Sequence, residues 1–175
     1  KQRLAGAQFK FRDTTNNYTA TFTANRNGEV LITGLAGDRI YEVTEIKAPN
    51  GYIIDRRVHK VDLRGQGGKT YTLVLNNQAQ KGAIKIVKQD GYTKQRLAGA
   101  QFKFRDTTNN YTATFTANRN GEVLITGLAG DRIYEVTEIK APNGYIIDRR
   151  VHKVDLRGQG GKTYTLVLNN QAQKG

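Results

Sequence analysis

Apolar and polar residues alternate along most of this chain with a period of two. The alternation is clearest in residues 7–12 (AQFKFR) and residues 18–24 (YTATFTA). A period of two predicts β-strands that turn one face towards a core. In the first half of the chain, further strands are predicted at residues 29–32, 40–45, 52–54, 58–63 and 70–75.

Turn-forming residues separate these segments. They include Asn27-Gly28, Gly37-Asp38, the Pro-Asn-Gly run at 49–51 and the glycine-rich run at 65–68. Such pairs and runs favour tight connections between strands. No stretch keeps a helical apolar period over three turns. The sequence therefore predicts an all-β protein built as antiparallel β-sandwiches.

The chain contains an internal repeat. Residues 1–82 and 94–175 are identical, and an 11-residue insert, 83–93, separates them. A period of 93 residues is typical of small domains in tandem rather than of a solenoid. The insert holds another predicted strand, 84–89, which either pairs antiparallel with 70–75 or opens the next domain. The link between them is too short for the crossover of about a dozen residues that parallel pairing needs.

Charge is distributed through the repeat. The 175 residues carry a net charge of +13, and each copy has 13 basic and 7 acidic residues. The excess is therefore a property of each unit's surface and not of a basic tail, although it favours an anionic partner. The Lys and Arg residues match no nucleic-acid-binding motif, so no nucleic acid is expected as a partner.

Composition excludes several kinds of chemistry. The chain has no Cys, so it has no disulfide, thiolate metal site or Cys nucleophile. It has no Ser for serine hydrolase chemistry. We interpret His59 and His152, one in each copy, as solvated strand residues beside arginines. No cofactor and no metal site is predicted.

The chain has no segment that targets it to a membrane. No window approaches the ~20 consecutive apolar residues of a membrane-spanning helix. Residues 1–4 are not followed by the apolar region of a secretion signal. We therefore interpret the chain as a piece of a longer protein.

Two charged residues lie on faces that the alternation predicts to be inward. Lys88 shares its face with Ile84 and Ile86, and Glu138 shares the face of Val136. An unpaired buried charge is costly, so each would need a partner. The alternative is that both are strand-end residues that emerge into water, where a Lys extends its charged end to solvent.

The last predicted strand ends in two asparagines that point to opposite faces. Asn170 lies on the face of Leu168, and Asn169 lies on the face of Val167. Only one of them can face the core, because successive strand residues alternate.

Two motifs resemble the Cna B-type domains, also called SpaA-like or prealbumin-like domains, of Gram-positive surface proteins. They are KQDGYTKQRLAGAQF at 88–102 and YEVTEIKAPNGY at 134–145. The resemblance implies tandem inverse-immunoglobulin-like (prealbumin-like) antiparallel β-sandwiches. It further implies a repeat at 1–82 that lacks its first strand and a complete repeat at 83–175.

The resemblance also implies a chemical role for the inward polar residues. Many members form an intramolecular isopeptide bond, in which a Lys on the first strand attacks an Asn or Asp on the last strand with help from a Glu or Asp. By motif these are Lys88, Asn170 and Glu138, with Asn169 as the alternative acceptor. The first copy has Glu45 and Asn77 but no Lys partner, so it would keep an open edge.

The expected chemistry is self-processing and not enzymatic turnover. Burial would disfavour the charged amine of Lys88. A Glu hydrogen-bonded to the Asn carboxamide would polarise its carbonyl and relay protons as ammonia leaves.

The resemblance implies a structural stalk or spacer of an adhesin or pilin-like protein, extracellular and anchored to the cell wall by a segment outside this chain. Its partners would be neighbouring repeats of the same protein. The alternative is a basic binding module for an anionic ligand, such as a host glycan, a wall polymer or host extracellular matrix.

Overall fold

The computed structural model describes residues 2–174, and every regular element in this range is a β-strand. The all-β prediction is therefore confirmed. The strands are β1 (Gln8–Asp13), β2 (Thr19–Thr23), β3 (Ile40–Lys47), β4 (Tyr52–Ile53), β5 (Val58–Asp62), β6 (Gln78–Ala79), β7 (Gly82–Asp90), β8 (Gln101–Asp106), β9 (Thr112–Thr116), β10 (Glu122–Leu128), β11 (Ile133–Lys140), β12 (Tyr145–Ile146), β13 (Val151–Asp155) and β14 (Thr163–Ala172). They divide between two compact units, residues 1–78 and 79–175.

The second unit has two facing sheets. One is antiparallel, with the strand order β13-β11-β8-β9. The other has the order β10-β7-β14-β12, in which β7 pairs antiparallel with β10 and parallel with β14. The strand in the insert therefore opens the second unit, which was one of the two alternatives. Its parallel partner is the last strand of its own unit.

The core of the second unit is formed by inward side chains of both sheets. Phe102, Val136 and Ile84 are fully buried, as their positions in the alternation predict. The rings of Phe104 and Tyr134 stack with their centroids 5.1 Å apart. Strands β7, β11 and β14 also carry buried polar residues near their C-terminal ends, and these are described below.

The first unit keeps only one of the two large sheets. Its antiparallel sheet has the order β2-β1-β3-β5, and the short strands β4 and β6 form a separate pair. The predicted strands at 29–32 and 70–75 are wrong for this copy, because neither segment is a strand here. The same sequences form β10 and β14 in the second unit.

The missing strands have a physical cause. In the second unit β7 lies between β10 and β14 and supplies hydrogen-bond partners to both. Residues 2–81 contain no counterpart of β7, so backbone groups at 29–32 and 70–75 have no ladder to join. The packing loosens accordingly: Phe9 and Val43 are only half-buried, whereas their equivalents Phe102 and Val136 are fully buried.

Candidate functional site

Lys88 lies on β7 with its side chain completely buried. Its Nζ is 3.2 Å from Glu138 Oε2 and 5.8 Å from the centroid of the Phe102 ring. Nζ and Oε2 are close enough for an ion pair but are not aligned for a hydrogen bond. Burial lowers the pKa of Lys88 below its usual value of 10.5, against the opposing attraction of Glu138. A lowered pKa favours the neutral amine, which is the nucleophilic form.

Glu138 lies on β11 and uses its two oxygens differently. Oε1 accepts hydrogen bonds from the Asn170 side chain (2.9 Å) and from the backbone N–H of Asp148 (2.8 Å). Oε2 accepts none and faces Lys88. The carboxyl group therefore bridges the amine on one strand and the carboxamide on another.

Asn170 lies near the end of β14 and is 2% exposed. Its Nδ2 donates to Glu138 Oε1 and to the backbone carbonyl of Ile146, both at 2.9 Å. A carbonyl oxygen only accepts hydrogen bonds, so the contact with Ile146 fixes the orientation of the amide. Glu138 thus contacts the amide nitrogen. The expectation that it polarises the amide carbonyl does not fit this geometry.

Three buried side-chain atoms in residues 2–174 have no hydrogen-bond partner: Lys88 Nζ, Glu138 Oε2 and Asn170 Oδ1. All three belong to this one group of side chains. A buried polar atom without a partner costs about 1–3 kcal/mol, and such atoms are rare enough in folded proteins to require an explanation.

Asn169 points away from this group. It is exposed, and its Oδ1 accepts a hydrogen bond from Gln89 Nε2 at 2.8 Å. The structure brings Asn170, and not Asn169, to Glu138.

The first copy contains the same arrangement without the lysine. Glu45 is buried, and its Oε1 accepts hydrogen bonds from Asn77 Nδ2 and the Asp55 N–H, both at 2.8 Å. Asn77 also donates to the carbonyl of Ile53 at 3.0 Å. The pairing of Glu and Asn therefore forms in this copy without a counterpart of β7.

Asp148 is a residue of the site that sequence reasoning missed. Besides its backbone contact with Glu138, its carboxylate binds His152 Nε2 at 2.8 Å and Arg150 Nε at 2.9 Å. Burial opposes ionisation of Asp148, but these hydrogen bonds outweigh it and hold its pKa well below the usual range. The interpretation of His152 as a solvated residue is wrong, since its side chain is 17% exposed and paired.

His59 pairs with Asp55 in the first copy at the same distance, 2.8 Å. The interpretation of His59 as solvated is therefore also wrong. The available signal was the carboxylate four residues before each histidine.

A second polar contact ties the end of β7 to the start of β12. Tyr145 Oη donates to Asp90 Oδ2 at 2.8 Å, and the backbone N–H groups of Tyr92 and Thr93 donate to Asp90 Oδ1. Next to it, residues 90–93 and 169–172 line a cavity of about 580 Å³ with no Lys or Arg in its wall.

No group of three or more His, Cys, Asp or Glu among residues 2–174 is arranged to hold a metal ion. Nor does that range contain a helix long and apolar enough to cross a membrane.

Two stretches of the chain, residues 1–79 and 82–172, match the family model for the SpaA prealbumin-like fold domain. The chain is 33% identical over 71 residues to the trypsin-resistant surface T6 protein of Streptococcus pyogenes, a match that covers 41% of this chain and 13% of that protein.

Solved structures show the same architecture. The Bacillus anthracis TIE protein superposes with a TM-score of 0.56 at 25% identity, covering 98% of this chain and 32% of that one. A C-terminal fragment of the pilus adhesin SpaC from Lactobacillus rhamnosus GG has a TM-score of 0.51 at 18% identity, covering 97% and 90%. The predicted prealbumin-like fold is therefore confirmed. The chain spans about a third or less of the length of the T6 and TIE proteins.

Proposed function

The chain belongs to the SpaA family of prealbumin-like fold domains, and from that premise we propose that it is a structural spacer of a Gram-positive surface protein or pilus. In this proposal the complete repeat, residues 83–175, is stabilised by a self-formed isopeptide bond between Lys88 and Asn170. The repeat at residues 1–82 has the same fold without its first strand.

The observation that carries the proposal is the set of three unpartnered buried atoms. Lys88 Nζ, Glu138 Oε2 and Asn170 Oδ1 belong to buried side chains of three strands, and Lys88 Nζ lies over the ring of Phe102, a residue of the hydrophobic core. A purely structural ion pair would have satisfied these atoms, because a buried charge without hydrogen bonds is destabilising. Bond formation removes the amine charge from the core.

The geometry supports a proton relay through Glu138. Oε2 is placed to take a proton from Lys88 Nζ, and Oε1 already contacts Asn170 Nδ2. The neutral amine attacks Asn170 Cγ, the Nζ–Cγ bond forms and the Cγ–Nδ2 bond breaks. One Nζ proton reaches Nδ2 through the carboxyl group, the nitrogen leaves as ammonia, and Glu138 ends as it began.

Asp148 acts as a positioning residue in this scheme. Its N–H and Asn170 Nδ2 both occupy Oε1 of Glu138. A proton on the carboxyl group is then favoured on Oε2, the oxygen that faces Lys88.

The bond would give the unit resistance to stretching. Lys88 lies on the first strand and Asn170 on the last, so force applied at the two ends of the unit passes through the bond and bypasses the fold between them. By the chain-entropy argument used for disulfides, closing the loop from residue 88 to residue 170 stabilises the unit by about 4–5 kcal/mol.

Two of the similar proteins support a proposal for the location and partners of this chain. One is called a surface protein, and another is a pilus adhesin. We propose an extracellular position, attachment to the cell wall through a segment outside this chain, and neighbouring repeats or pilin subunits as partners. The binding-module alternative stays a prediction, and the cavity beside Asp90 offers an anion no cationic side chain.

Single-molecule pulling from both ends of the chain tests the spacer function. We expect one unfolding event in the unmodified chain, from the first unit, and a second event in Lys88→Met. Lys85→Met is the matched control, because Lys85 lies on the same strand but pairs at the surface with Glu122. Two events of domain size in the unmodified chain would contradict the proposal.

A further inference from the structure

Four Asn-Gly pairs occur in the chain, at 27–28, 50–51, 120–121 and 143–144. The backbone nitrogen of a glycine can attack the side-chain amide of the asparagine before it, because glycine puts no side chain in the path and one chain holds both groups together. We propose that the fold exposes two of these pairs and protects the other two, so that Asn50 and Asn143 are sites of spontaneous deamidation. This inference does not rest on the proposed isopeptide bond.

Asn143 and Gly144 form the exposed turn that leads into β12. The turn is closed by the Tyr145 N–H, which donates to the Pro142 carbonyl at 3.1 Å, and Gly144 has a φ of +83°. Both turn residues are exposed, and a β-carbon on Gly144 would meet no atom of residues 2–174 within 4 Å. The glycine nitrogen is therefore open to water and to the side chain of Asn143.

The peptide group between Asn143 and Gly144 is free to turn. Among residues 2–174, neither the Gly144 N–H nor the Asn143 carbonyl has a hydrogen-bond partner. For the attack, this peptide group has to rotate until its nitrogen meets Cγ of its own asparagine. A backbone group that is exposed and without hydrogen bonds makes such a local movement easily.

The pair Asn120-Gly121 is held in place instead. The Gly121 N–H donates to the Asn118 carbonyl at 2.9 Å, and the Asn120 carbonyl accepts from Arg96 Nη1 at 3.2 Å. Gly121 is buried, and a β-carbon on it would be 2.7 Å from the Lys88 carbonyl oxygen. Rotation of this peptide group would break two hydrogen bonds and disturb backbone that packs against β7.

The first copy divides its two pairs in the same way. The pair 50–51 lies in a turn closed by the Tyr52 N–H, which donates to the Pro49 carbonyl at 3.0 Å. In the described part of the chain its central peptide group has no hydrogen-bond partner. The Gly28 N–H, by contrast, donates to the Asn25 carbonyl at 2.8 Å. Each copy therefore has one open pair and one protected pair.

The reaction needs water and no other reactant. A base in the solvent takes the proton of Gly144 N, the nitrogen attacks Asn143 Cγ, and the N–Cγ bond forms. The Cγ–Nδ2 bond breaks, and Nδ2 takes up a proton from solvent and leaves as ammonia. Water then opens the succinimide ring. Opening at Cγ gives aspartate, and opening at the backbone carbonyl carbon gives isoaspartate.

The product changes the charge and the backbone of the turn. Each reacted site replaces a neutral amide with a carboxylate and lowers the net charge of +13 by one. Isoaspartate also adds a carbon to the main chain immediately before β12. The Ile146 carbonyl of this strand accepts the hydrogen bond of Asn170 Nδ2 at 2.9 Å, so the modification lies close to a contact that orients the proposed acceptor.

Peptide mapping of the folded chain, incubated at mildly alkaline pH, tests the inference. Trypsin releases APNGYIIDR from both copies (48–56 and 141–149) and NGEVLITGLAGDR from both copies (27–39 and 120–132). We expect APNGYIIDR to convert to the heavier forms in which OH replaces NH₂. NGEVLITGLAGDR should convert more slowly by roughly tenfold or more, because two hydrogen bonds have to break first.

Matched controls separate the effect of the fold from that of the sequence. In the chain unfolded by denaturant, the two peptides should convert at similar rates. Asn143→Gln should remove the second copy's share of the APNGYIIDR reaction, and Asn50→Gln should remove the first copy's share. Asn120→Gln should leave the conversion of APNGYIIDR unchanged.

Two results would overturn the inference: no conversion of APNGYIIDR in the folded chain, or equal conversion of the two peptides there. The proposed function is judged by a different readout. The bond between Lys88 and Asn170 makes the chain lighter by one ammonia, and Lys88→Met should abolish that loss while deamidation continues. Either proposal can therefore fail without the other.

Discussion

Glu138 contacts the proposed nucleophile, Lys88, and the proposed acceptor, Asn170, with different oxygens of one carboxyl group. Oε2 lies 3.2 Å from Lys88 Nζ, and Oε1 accepts a hydrogen bond from Asn170 Nδ2 at 2.9 Å. A residue placed in this way can move a proton from one nitrogen to the other without leaving its position. The proposed reaction would therefore depend on a side chain that itself forms no new covalent bond.

Replacing Glu138 with Gln should slow bond formation by roughly a hundredfold or more, because an amide cannot act as the acid and base that general catalysis requires. Gln keeps the size of the side chain and an oxygen to accept the Oε1 hydrogen bonds. Time-resolved intact mass after refolding measures the loss of ammonia. Glu45→Gln, the same change in the first copy, should have no effect. A Glu138→Gln chain that reacts at the unmodified rate would contradict the relay.

The two asparagines at the end of β14 should behave differently. Asn170→Ala should abolish the loss of ammonia, since Asn170 is the one that touches Glu138. Asn169→Ala should preserve the loss of ammonia, because the Asn169 side chain is exposed and accepts a hydrogen bond from Gln89 instead of contacting Glu138. Mass spectrometry of both variants checks the assignment, and the reverse pattern would show that Asn169 is the acceptor.

Lys88 should make the unbonded unit more stable as pH rises. Its pKa is lowered by burial in the folded state, so below 10.5 the unfolded chain binds more protons at this site than the folded chain does. The contribution of Lys88 to the unfolding free energy therefore rises with pH between the lowered pKa and 10.5.

Urea unfolding of Asn170→Ala over this pH range measures the effect. The control is Asn170→Ala with Lys88→Met, which removes the titrating group and retains the other lysines. Equal pH slopes in the two chains would show that Lys88 does not contribute.

At the scale of single residues, alternation in the sequence placed Lys88, Glu138 and Asn170 on inward faces, where the structure has them. It could not assign the Asp148 N–H to Glu138, because that contact depends on how the segment after β12 folds back on β11. Nor could it orient the Asn170 amide, which is set by the Ile146 carbonyl from a neighbouring strand.

At the scale of strands, one sequence adopts two states in the same molecule. Residues 122–125 and 163–168 are in strands, whereas the identical residues 29–32 and 70–75 are not. Intrinsic preference for the strand conformation is the same in both copies, so the difference comes from the neighbour that β7 provides. The sequence pattern therefore predicted these strands correctly only in the second unit, where β7 is present to pair with both of them.

Hydrogen exchange should detect the two states directly. Backbone amides at 29–32 and 70–75 should exchange faster than their equivalents in β10 and β14 by roughly two orders of magnitude or more, since unpaired segments open at almost no cost. Because the two copies give peptides of equal mass, we expect two isotope peaks of equal area for one peptide.

Thr33→Ser changes the mass of the first-copy peptides that contain residue 33, and it therefore assigns the faster peak for residues 29–32. A single peak would show that the first copy forms these strands.

At the scale of the whole molecule, two units of nearly equal sequence should differ in stability. The first unit lacks a counterpart of β7, and the second has this strand and, as proposed, the bond. We expect two thermal unfolding transitions, with the second unit unfolding at the higher temperature. Lys88→Met should lower the midpoint of that transition only. A loss of about 4–5 kcal/mol corresponds to a shift of roughly 20 °C in a domain of this size.

Differential scanning calorimetry of the unmodified chain and Lys88→Met measures both transitions. Lys85→Met serves as the surface control on the same strand and should leave both unchanged. A Lys88→Met chain whose upper transition does not move would contradict stabilisation by the bond.

The intact mass of the purified chain shows whether the bond between Lys88 and Asn170 forms. We expect the mass of the sequence minus one ammonia, with a cross-linked fragment that joins Lys88 to Asn170, and the full mass for Lys88→Met. The full sequence mass in the unmodified, folded chain would contradict it.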